Sequence, residues 1–110
     1  TLAAVPAAPT LSNPTLNSLD LDVNANGNPA TTVFAIRCPA TNPVDASWNG
    51  KYVDAVGNPS VTEVWQTDIA WAIITIHGLT SGTTYTFAVK ARNGDLVETA
   101  FGPEASLATP

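Results

Sequence analysis

The chain has 110 residues, a length that suits one domain and that buries roughly two-thirds of the surface exposed by the unfolded chain. Hydrophobic residues make up 45% of the sequence, and this share excludes a disordered chain. The formal net charge is −5 and the four basic residues form no run, which excludes binding to nucleic acid or to an anionic membrane through clustered Lys and Arg.

The surface composition favours a secreted protein. Charged residues make up 12% of the chain, about half the usual share, and Thr, Asn, Ser and Ala take their place. Because secreted bacterial modules often have this composition, we expect an extracellular or cell-surface location. No apolar run approaches the roughly 18 residues that span a bilayer, so no membrane insertion is expected. The single cysteine, Cys38, cannot form an internal disulfide, so stability must come from the core.

The two ends have the composition of linkers. Residues 1–9 are rich in Ala and Pro and are predicted to form a linker or the lead-in to an edge strand A. Residues 109–110 are predicted to be the exit linker, which leaves 10–108 as the domain. The start lacks the basic residues and the long apolar stretch of a signal peptide. We therefore expect the sequence to be one domain of a longer protein.

Two strands are predicted in the first third of the chain. Residues 18–23 alternate apolar and polar side chains, a pattern that indicates a strand with one face in the core. The following Asn26-Gly27 pair favours a type I′ turn. Residues 32–38 form the return strand, which Pro39 ends because proline cannot donate to the ladder. The inward-facing side chains are those of Leu19, Leu21, Val23, Phe34, Ile36 and Cys38.

Secondary structure is hardest to predict in the segment 39–71, because prolines and glycines divide it into short pieces. A tight hairpin is predicted over 47–52, and a short edge strand over 51–55. Another strand is predicted over 61–67.

The last third predicts the clearest strands. Residues 72–77 and 84–92 alternate apolar and polar side chains around a glycine-rich turn. A type I′ turn is predicted at 93–94, and a last strand over 97–109 is broken near Gly102. About seven short strands with frequent turn signals and no helical periodicity predict an all-β sandwich of two sheets.

Residues 74–93 resemble the E–F corner of fibronectin type III domains. The family's Gly-Leu, Ser-Gly-Thr and Tyr-x-Phe-x-Val-x-Ala pattern recurs between Gly78 and Ala91. Leu79 matches the corner leucine, and Tyr85 matches the tyrosine whose hydroxyl bonds back to upstream backbone. The resemblance implies an immunoglobulin-like sandwich with strands A, B and E on one sheet, and C, F and G plus C′ on the other. The expected core is Leu19, Leu21, Val23, Phe34, Ile36, Ile74, Ile76, Leu79, Tyr85, Phe87 and Val89.

Two features depart from the family's pattern. Val23 stands where the family usually has a tryptophan, so Trp65 or Trp71 is expected to fill that space. The segment 39–71 is long for a connection between strands C and E, which implies an extra C′ hairpin.

One loop matches half of a calcium-binding motif. Asp22-x-Asn24-x-Asn26-Gly27 corresponds to the first half of an EF-hand loop, but Val33 stands where that loop needs its bidentate Glu. The flanking segments are also predicted strands, not helices. A polar turn is therefore expected, with a weak surface calcium site at Asp22 and Asn24 left open.

A second loop differs from an adhesion motif by one inserted residue. Some family members carry an Arg-Gly-Asp tripeptide in the F–G loop. Here Asn93 interrupts that tripeptide within 92–95. We therefore predict no integrin-type adhesion through this loop.

Aromatic residues cluster in the unclear middle segment. Trp48, Tyr52 and Trp65 are candidates for facing a ligand, because aromatic rings stack on sugars. The alternative is core filling and edge packing, which is favoured because three tryptophans in one domain must mostly be buried.

No catalytic group is predicted. Strand alternation points Cys38 inward and His77 outward, so they are not expected to form a nucleophile–base pair. His77 is the one histidine and cannot build a zinc site alone. Asp20 and Asp22 lie on a predicted solvated face, where no cleft would raise one pKa as a glycosidase requires. We expect no enzyme activity, no cofactor and no metal.

These observations predict a non-catalytic spacer or interaction module of a larger secreted or cell-surface bacterial protein. The expected partners are neighbouring domains of the same chain, and protein or glycan at the cell surface, with the module itself monomeric. The alternative is a carbohydrate- or protein-binding accessory domain of an extracellular polysaccharide-degrading enzyme or adhesin. Since fold does not determine function, this inference depends partly on the resemblance.

Overall fold

Two antiparallel sheets form the fold in the computed structural model, which describes residues 2–39 and 45–110. The strands are β1 (Thr10–Ser12), β2 (Leu19–Asp22), β3 (Val33–Arg37), β4 (Tyr52–Val53), β5 (Pro59–Ser60), β6 (Gln66–Thr67), β7 (Ile73–Ile76), β8 (Thr84–Arg92) and β9 (Ala105–Ala108). One helical turn, α1 (Asp68–Trp71), lies between β6 and β7.

The sheet topology matches the predicted division of strands. The smaller sheet has the order β1-β2-β7, which corresponds to A, B and E. The larger sheet has the order β5-β4-β3-β8-β9, and β6 also pairs with β3. This order corresponds to a C′ hairpin followed by C, F and G. The predicted all-β sandwich and its extra C′ hairpin are therefore confirmed.

The middle segment differs from its prediction at residues 61–67 and at the helical turn that follows them. Of the strand predicted over 61–67, only Gln66–Thr67 pairs, because the chain before it crosses over the larger sheet. Helix α1 was not predicted, since four residues carry no periodicity. It begins where the Thr67 hydroxyl accepts a hydrogen bond from the Ala70 backbone N–H at 3.2 Å. Residues 40–44 of the predicted middle segment lie outside the described residues.

The predicted core is confirmed except at Ile74, which is half-buried against it. Two tryptophans complete the core. Trp71 is 2% exposed and its indole N–H donates to the Phe34 carbonyl at 2.8 Å. Trp48 is fully buried, packs edge-on against Phe87 with ring centroids 6.0 Å apart, and donates to the His77 carbonyl at 3.0 Å. Both indoles therefore have hydrogen-bond partners, as buried indoles require.

The tyrosine corner forms as the resemblance implied. The Thr80 backbone N–H donates to the Tyr85 hydroxyl at 2.7 Å. That hydroxyl in turn donates to the buried carboxylate of Asp45. Burial and the hydrogen bond to Asp45 raise the pKa of Tyr85 above its ordinary value. The phenol therefore stays protonated and keeps both contacts.

Asp45 also overturns the hairpin predicted over 47–52. Its backbone carbonyl accepts hydrogen bonds from Trp48 N at 3.1 Å and Asn49 N at 2.9 Å, and its carboxylate accepts one from Ser47 N at 3.0 Å. These contacts wind the chain into a tight turn. Strand pairing begins only after that turn, when Gly50 N donates to the Cys38 carbonyl at 2.9 Å.

The two predicted type I′ turns have different outcomes. Asn26 and Gly27 take φ of 51° and 79°, so the first turn is confirmed. The second is wrong, because Gly94 does not take a positive φ and Leu96 does, at 63°. The Asn93 side chain accepts hydrogen bonds from the backbone N–H groups of Asp95 and Val97, at 3.0 and 2.9 Å. This cap fixes a different turn.

Both ends pack on the sandwich. Ala4 and the Asn28 side chain exchange two hydrogen bonds of 2.8 Å. At the other end, Thr109 is 4% exposed, and its backbone N–H donates to the Thr83 carbonyl at 2.9 Å. Residues on both sides of 10–108 therefore contact the loops of the sandwich.

Glycines close the two edges of the sandwich. His77 N donates to the Gly57 carbonyl at 2.9 Å, which joins the C′ hairpin to the end of β7. A Cβ on Gly57 would lie 1.9 Å from the Thr75 carbonyl oxygen. On the opposite edge, a Cβ on Gly102 would lie 2.0 Å from the Pro6 carbonyl oxygen. A side chain at either position would push the facing backbone away.

Gly57→Ala is expected to lower the free energy of unfolding by about 3–4 kcal/mol, because the methyl group meets backbone and the residue has a φ of +88°. Gly27→Ala is the matched control, since Gly27 has a φ of +79° but nothing within 4 Å. It should lose about 1–2 kcal/mol from backbone strain alone. Urea unfolding followed by tryptophan fluorescence measures both. Equal losses would contradict the close approach.

Tyr85→Phe is expected to lower the free energy of unfolding by about 2 kcal/mol, because it leaves the Thr80 N–H and the Asp45 carboxylate without their partner. Tyr52→Phe is the control, since the Tyr52 hydroxyl has no hydrogen bond to the part of the chain described, and should change stability by less than about 0.5 kcal/mol. The same urea titration applies. A Tyr85→Phe loss no larger than that of Tyr52→Phe would refute the corner's role.

Candidate functional site on the outer face of the larger sheet

Three of the four basic residues of the chain lie together on the outer face of the larger sheet. They follow from strand alternation, since Arg37 on β3, and Lys90 and Arg92 on β8, point away from the core. Three aromatic rings lie among them. We call this set the aromatic–cationic face. Its members are Arg37, Tyr52, Trp65, Lys90, Arg92 and Phe101.

Two alanines make room for the rings. Ala35 pairs with Lys90, and Ala88 pairs with Arg37, in the β3–β8 ladder. Both alanines point outward by alternation, and yet both are buried. The rings and long side chains therefore form a second, thin layer over the sheet.

Lys90 lies at the centre of this layer and is 9% exposed. Its ammonium forms ion pairs with Glu63 and with Glu98, the latter at 2.6 Å. It also lies 5.2 Å from the ring centroid of Phe101, 5.4 Å from that of Trp65 and 5.8 Å from that of Tyr52.

The environment of Lys90 keeps it charged. Burial alone would lower the pKa of the ammonium, but the hydrogen bonds to Glu63 and Glu98 outweigh it and raise the pKa above its ordinary value. A nucleophilic lysine needs a lowered pKa. Lys90 therefore acts as a structural cation that ties the crossing segment at Glu63 and the segment at Glu98 to β8.

The two arginines are held differently. The Arg92 guanidinium lies 4.3 Å from the Trp65 centroid, and the Arg37 guanidinium lies 5.7 Å from Tyr52 and 6.0 Å from Phe101. Among the residues described, neither has a carboxylate within ion-pair distance. The Nε atom of each is covered and has no acceptor in the same part of the chain. In the described part of the chain, both guanidinium groups therefore lie against rings and not against carboxylates.

A small pocket opens beside Arg37. Its volume is about 130 Å³, and its wall is mostly apolar. The lining residues are Arg37, Pro39, Ala88, Phe101, Gly102 and Glu104. This volume accommodates one side chain, whereas pockets for drug-sized molecules are about 300–1,000 Å³.

The structure separates the three predicted ligand-facing aromatics. Trp48 is in the core, so the prediction that it faces a ligand is wrong, and the core-filling alternative holds for it. Tyr52 and Trp65 are half-buried on the aromatic–cationic face, where cations of the same chain already lie against their rings. Sequence reasoning missed Phe101 as a member. The outward alternation of Lys90 and Arg92 was a signal for this face, but the cross-strand register was needed to assemble it.

The remaining candidates stay apart. Cys38 is buried and His77 is exposed, as alternation predicted, and they follow strands of different sheets. The Asn24 side chain accepts a hydrogen bond from Asn26 N at 2.9 Å, so it serves the turn. Within residues 2–39 and 45–110, no three His, Cys, Asp or Glu residues are grouped so that they could hold a metal ion. In the same ranges, no helix is long and apolar enough to cross a membrane.

Comparisons with known proteins concern the fold. No family model and no curated protein matches the chain. Among solved structures, it is similar to a domain of human fibronectin type III domain containing protein 3, with 16% identity and a TM-score of 0.64 over 99% of this chain and 87% of that one. A myokine structure matches with 13% identity and a TM-score of 0.66 over 98% of each chain. A fibronectin type III domain of human KIAA0970 protein matches with 14% identity and a TM-score of 0.58 over 94% and 72%.

These likenesses define the class of protein by its architecture. Two of the three matched structures are fibronectin type III domains, and the match spans nearly the whole chain. The chain therefore has the fibronectin type III fold, as the E–F corner implied.

Lys90→Met is expected to lower the free energy of unfolding by about 2–3 kcal/mol, because it leaves Glu63 and Glu98 without their cation. The raised pKa means that this stabilisation is present below the ordinary lysine pKa, about 10.4, and is lost as the pH rises through the folded-state value. Above that pH the wild type should lose stability faster than Lys90→Met.

Lys51→Met removes a basic residue outside the face and should change stability by less than about 0.5 kcal/mol. Urea titrations at pH 7 and across the alkaline range supply both readings. A loss for Lys90→Met as small as that for Lys51→Met would contradict the central role of Lys90.

Proposed function

We propose that the chain is a non-catalytic spacer and interaction module of a larger secreted or cell-surface bacterial protein. The observation that carries this proposal is the position of its two ends. Ala4 and Val5 contact the loop that holds Asn26 and Asn28, and the Pro110 carbonyl accepts a hydrogen bond from Gly82 N at 2.7 Å. Those loops lie at opposite ends of the sandwich.

The separation of the ends follows from β8. Gly82 precedes this strand, and the loop after Arg92 contacts the N-terminal segment, since Leu2 and Val97 line a common groove. Nine extended residues cover about 27 Å. The longest dimension of the unit is 42 Å. A module of this shape holds the domains on its two sides at a fixed distance from each other.

Composition and chemistry support the same proposal. The low charged fraction and the Thr-, Asn- and Ser-rich surface favour a secreted location. The buried ammonium of Lys90 is tied into ion pairs that hold segments of the chain together. The pocket at Arg37 is the size of one side chain, which suits contact with another protein better than enclosure of a substrate.

The spacer role predicts a fixed end-to-end distance. Dyes attached through Leu2→Cys and Pro110→Cys should report a narrow distance distribution in single-molecule energy transfer, at about 30–40 Å. Cys38 is fully buried and should not react in the folded protein. In denaturing urea, the distance should rise toward about 80 Å, the end-to-end distance of an unfolded chain of this length with a radius of gyration of about 34 Å. A broad distribution in the absence of urea would contradict the proposal.

The alternative function is an accessory domain that binds carbohydrate, and the half-buried rings of Tyr52 and Trp65 are the observation in its favour. If those rings stack on sugar, soluble polysaccharides should shift the tryptophan emission of the wild type and leave Trp65→Phe unshifted. Trp48 and Trp71 are buried and serve as the unresponsive background. Unchanged wild-type emission would exclude this alternative.

A further inference from the structure

We propose that the aromatic–cationic face docks an extended, acidic segment of a partner protein. This inference depends on the interaction role proposed above and names the chemistry of the partner. Arg37 and Arg92 are the cations available for it, because Lys90 is already paired with Glu63 and Glu98.

Charge complementarity identifies the occupant as acidic. The chain carries nine acidic and four basic residues, yet three of the four basic residues lie on this one face. Both arginines are half-buried, hold their guanidinium against a ring and have no carboxylate within ion-pair distance in the described part of the chain. A guanidinium with free donors binds a carboxylate through two parallel hydrogen bonds.

The strand register sets the spacing of the acidic groups. Arg92 pairs with Val33, and Arg37 lies four residues further along β3. Four extended residues cover about 14 Å. In an extended peptide, side chains at positions i and i+4 point the same way and are separated by the same distance. Aspartate or glutamate at i and i+4 therefore matches the two arginines.

The pocket adds an apolar position beside one of these acidic residues. Its wall consists mainly of Pro39, Ala88, Phe101 and Gly102, and its volume of about 130 Å³ holds one aliphatic or aromatic side chain. Because Arg37 forms part of the same wall, the apolar residue must lie two positions from the carboxylate that meets Arg37, so that both side chains face the sheet. The Glu104 carboxylate on the rim disfavours a second acidic group in the pocket itself.

These features favour a peptide over an acidic polysaccharide. A sugar would stack on the faces of Tyr52 and Trp65, and cations of the chain itself lie against those rings, at 5.7 Å and 4.3 Å. A polyuronate also has no apolar group that could fill a pocket of this size. The extended peptide uses the two arginines and the pocket without displacing either cation from its ring.

A random 12-residue peptide library displayed on phage, selected on the intact 110-residue protein, tests the proposal. Enriched peptides should carry Asp or Glu at i and i+4, with an apolar residue two positions from one of them. Arg37→Gln and Arg92→Gln should each weaken the binding of these peptides about tenfold, by fluorescence anisotropy, through loss of a charge-assisted pair. Lys51→Gln removes the same charge outside the face and should change binding less than about twofold.

Thermal melts establish that each variant is folded. Arg37→Lys keeps the positive charge but loses the pair of parallel hydrogen bonds that a guanidinium donates, so it should bind with intermediate affinity. The proposal is overturned if no peptide is enriched, if the acidic spacing is absent, or if soluble polygalacturonate binds with the same arginine dependence and more tightly. Peptides that bind the arginine variants equally well would overturn this face as the site while leaving the interaction role intact. The energy-transfer experiment tests the spacer role separately.

Discussion

The buried hydroxyl of Tyr85 joins parts of the chain that are far apart in sequence. It accepts from Thr80 in the E–F corner and donates to Asp45, which caps the turn after strand C. That turn places Trp48 in the core, where its indole reaches the carbonyl of His77 at the end of β7. One phenol thus fixes the corner, the C–C′ turn and, through Trp48, the edge of the smaller sheet. A buried donor and acceptor that lose their partner cost more than the bond contributes, so this set of contacts constrains the whole sandwich.

The edges of the sandwich depend on close backbone contact. Gly57 brings the C′ hairpin against the backbone of Thr75, and Gly102 brings the segment before β9 against Pro6. Exposed strand edges invite pairing with other chains, so covering them protects the domain from association. The same C′ and G segments carry Tyr52 and Phe101, which lie over the outer face. Edge closure and the construction of the aromatic–cationic face are therefore linked.

Among the described residues, the outer face combines a central lysine that is paired with carboxylates and two arginines that lie against aromatic rings. At the centre, Lys90 is held by two carboxylates and three rings, which makes that region rigid. Arg37 and Arg92 flank it, and cation–π contact keeps each extended against the sheet. Side chains held in this way lose little further freedom on binding, which favours recognition. A fold that is otherwise acidic thus presents a fixed cationic pair on a flat sheet.

The sequence by itself determined the all-β class and nearly the whole core, because alternation in β2, β3, β7 and β8 is a local property of each strand. The division of the strands between two sheets was implied by the resemblance of residues 74–93 to a known corner. The sequence also determined the tyrosine corner, whose residues are close together in the chain. It did not determine the path of the middle segment, where Trp48 entered the core through a turn capped by Asp45. Nor did it determine which residues meet on the aromatic–cationic face. Strand alternation is enough to place each basic residue of that face outward. Its ring partners come from distant segments, and only cross-strand register and the crossing of the C′ and G segments bring them together.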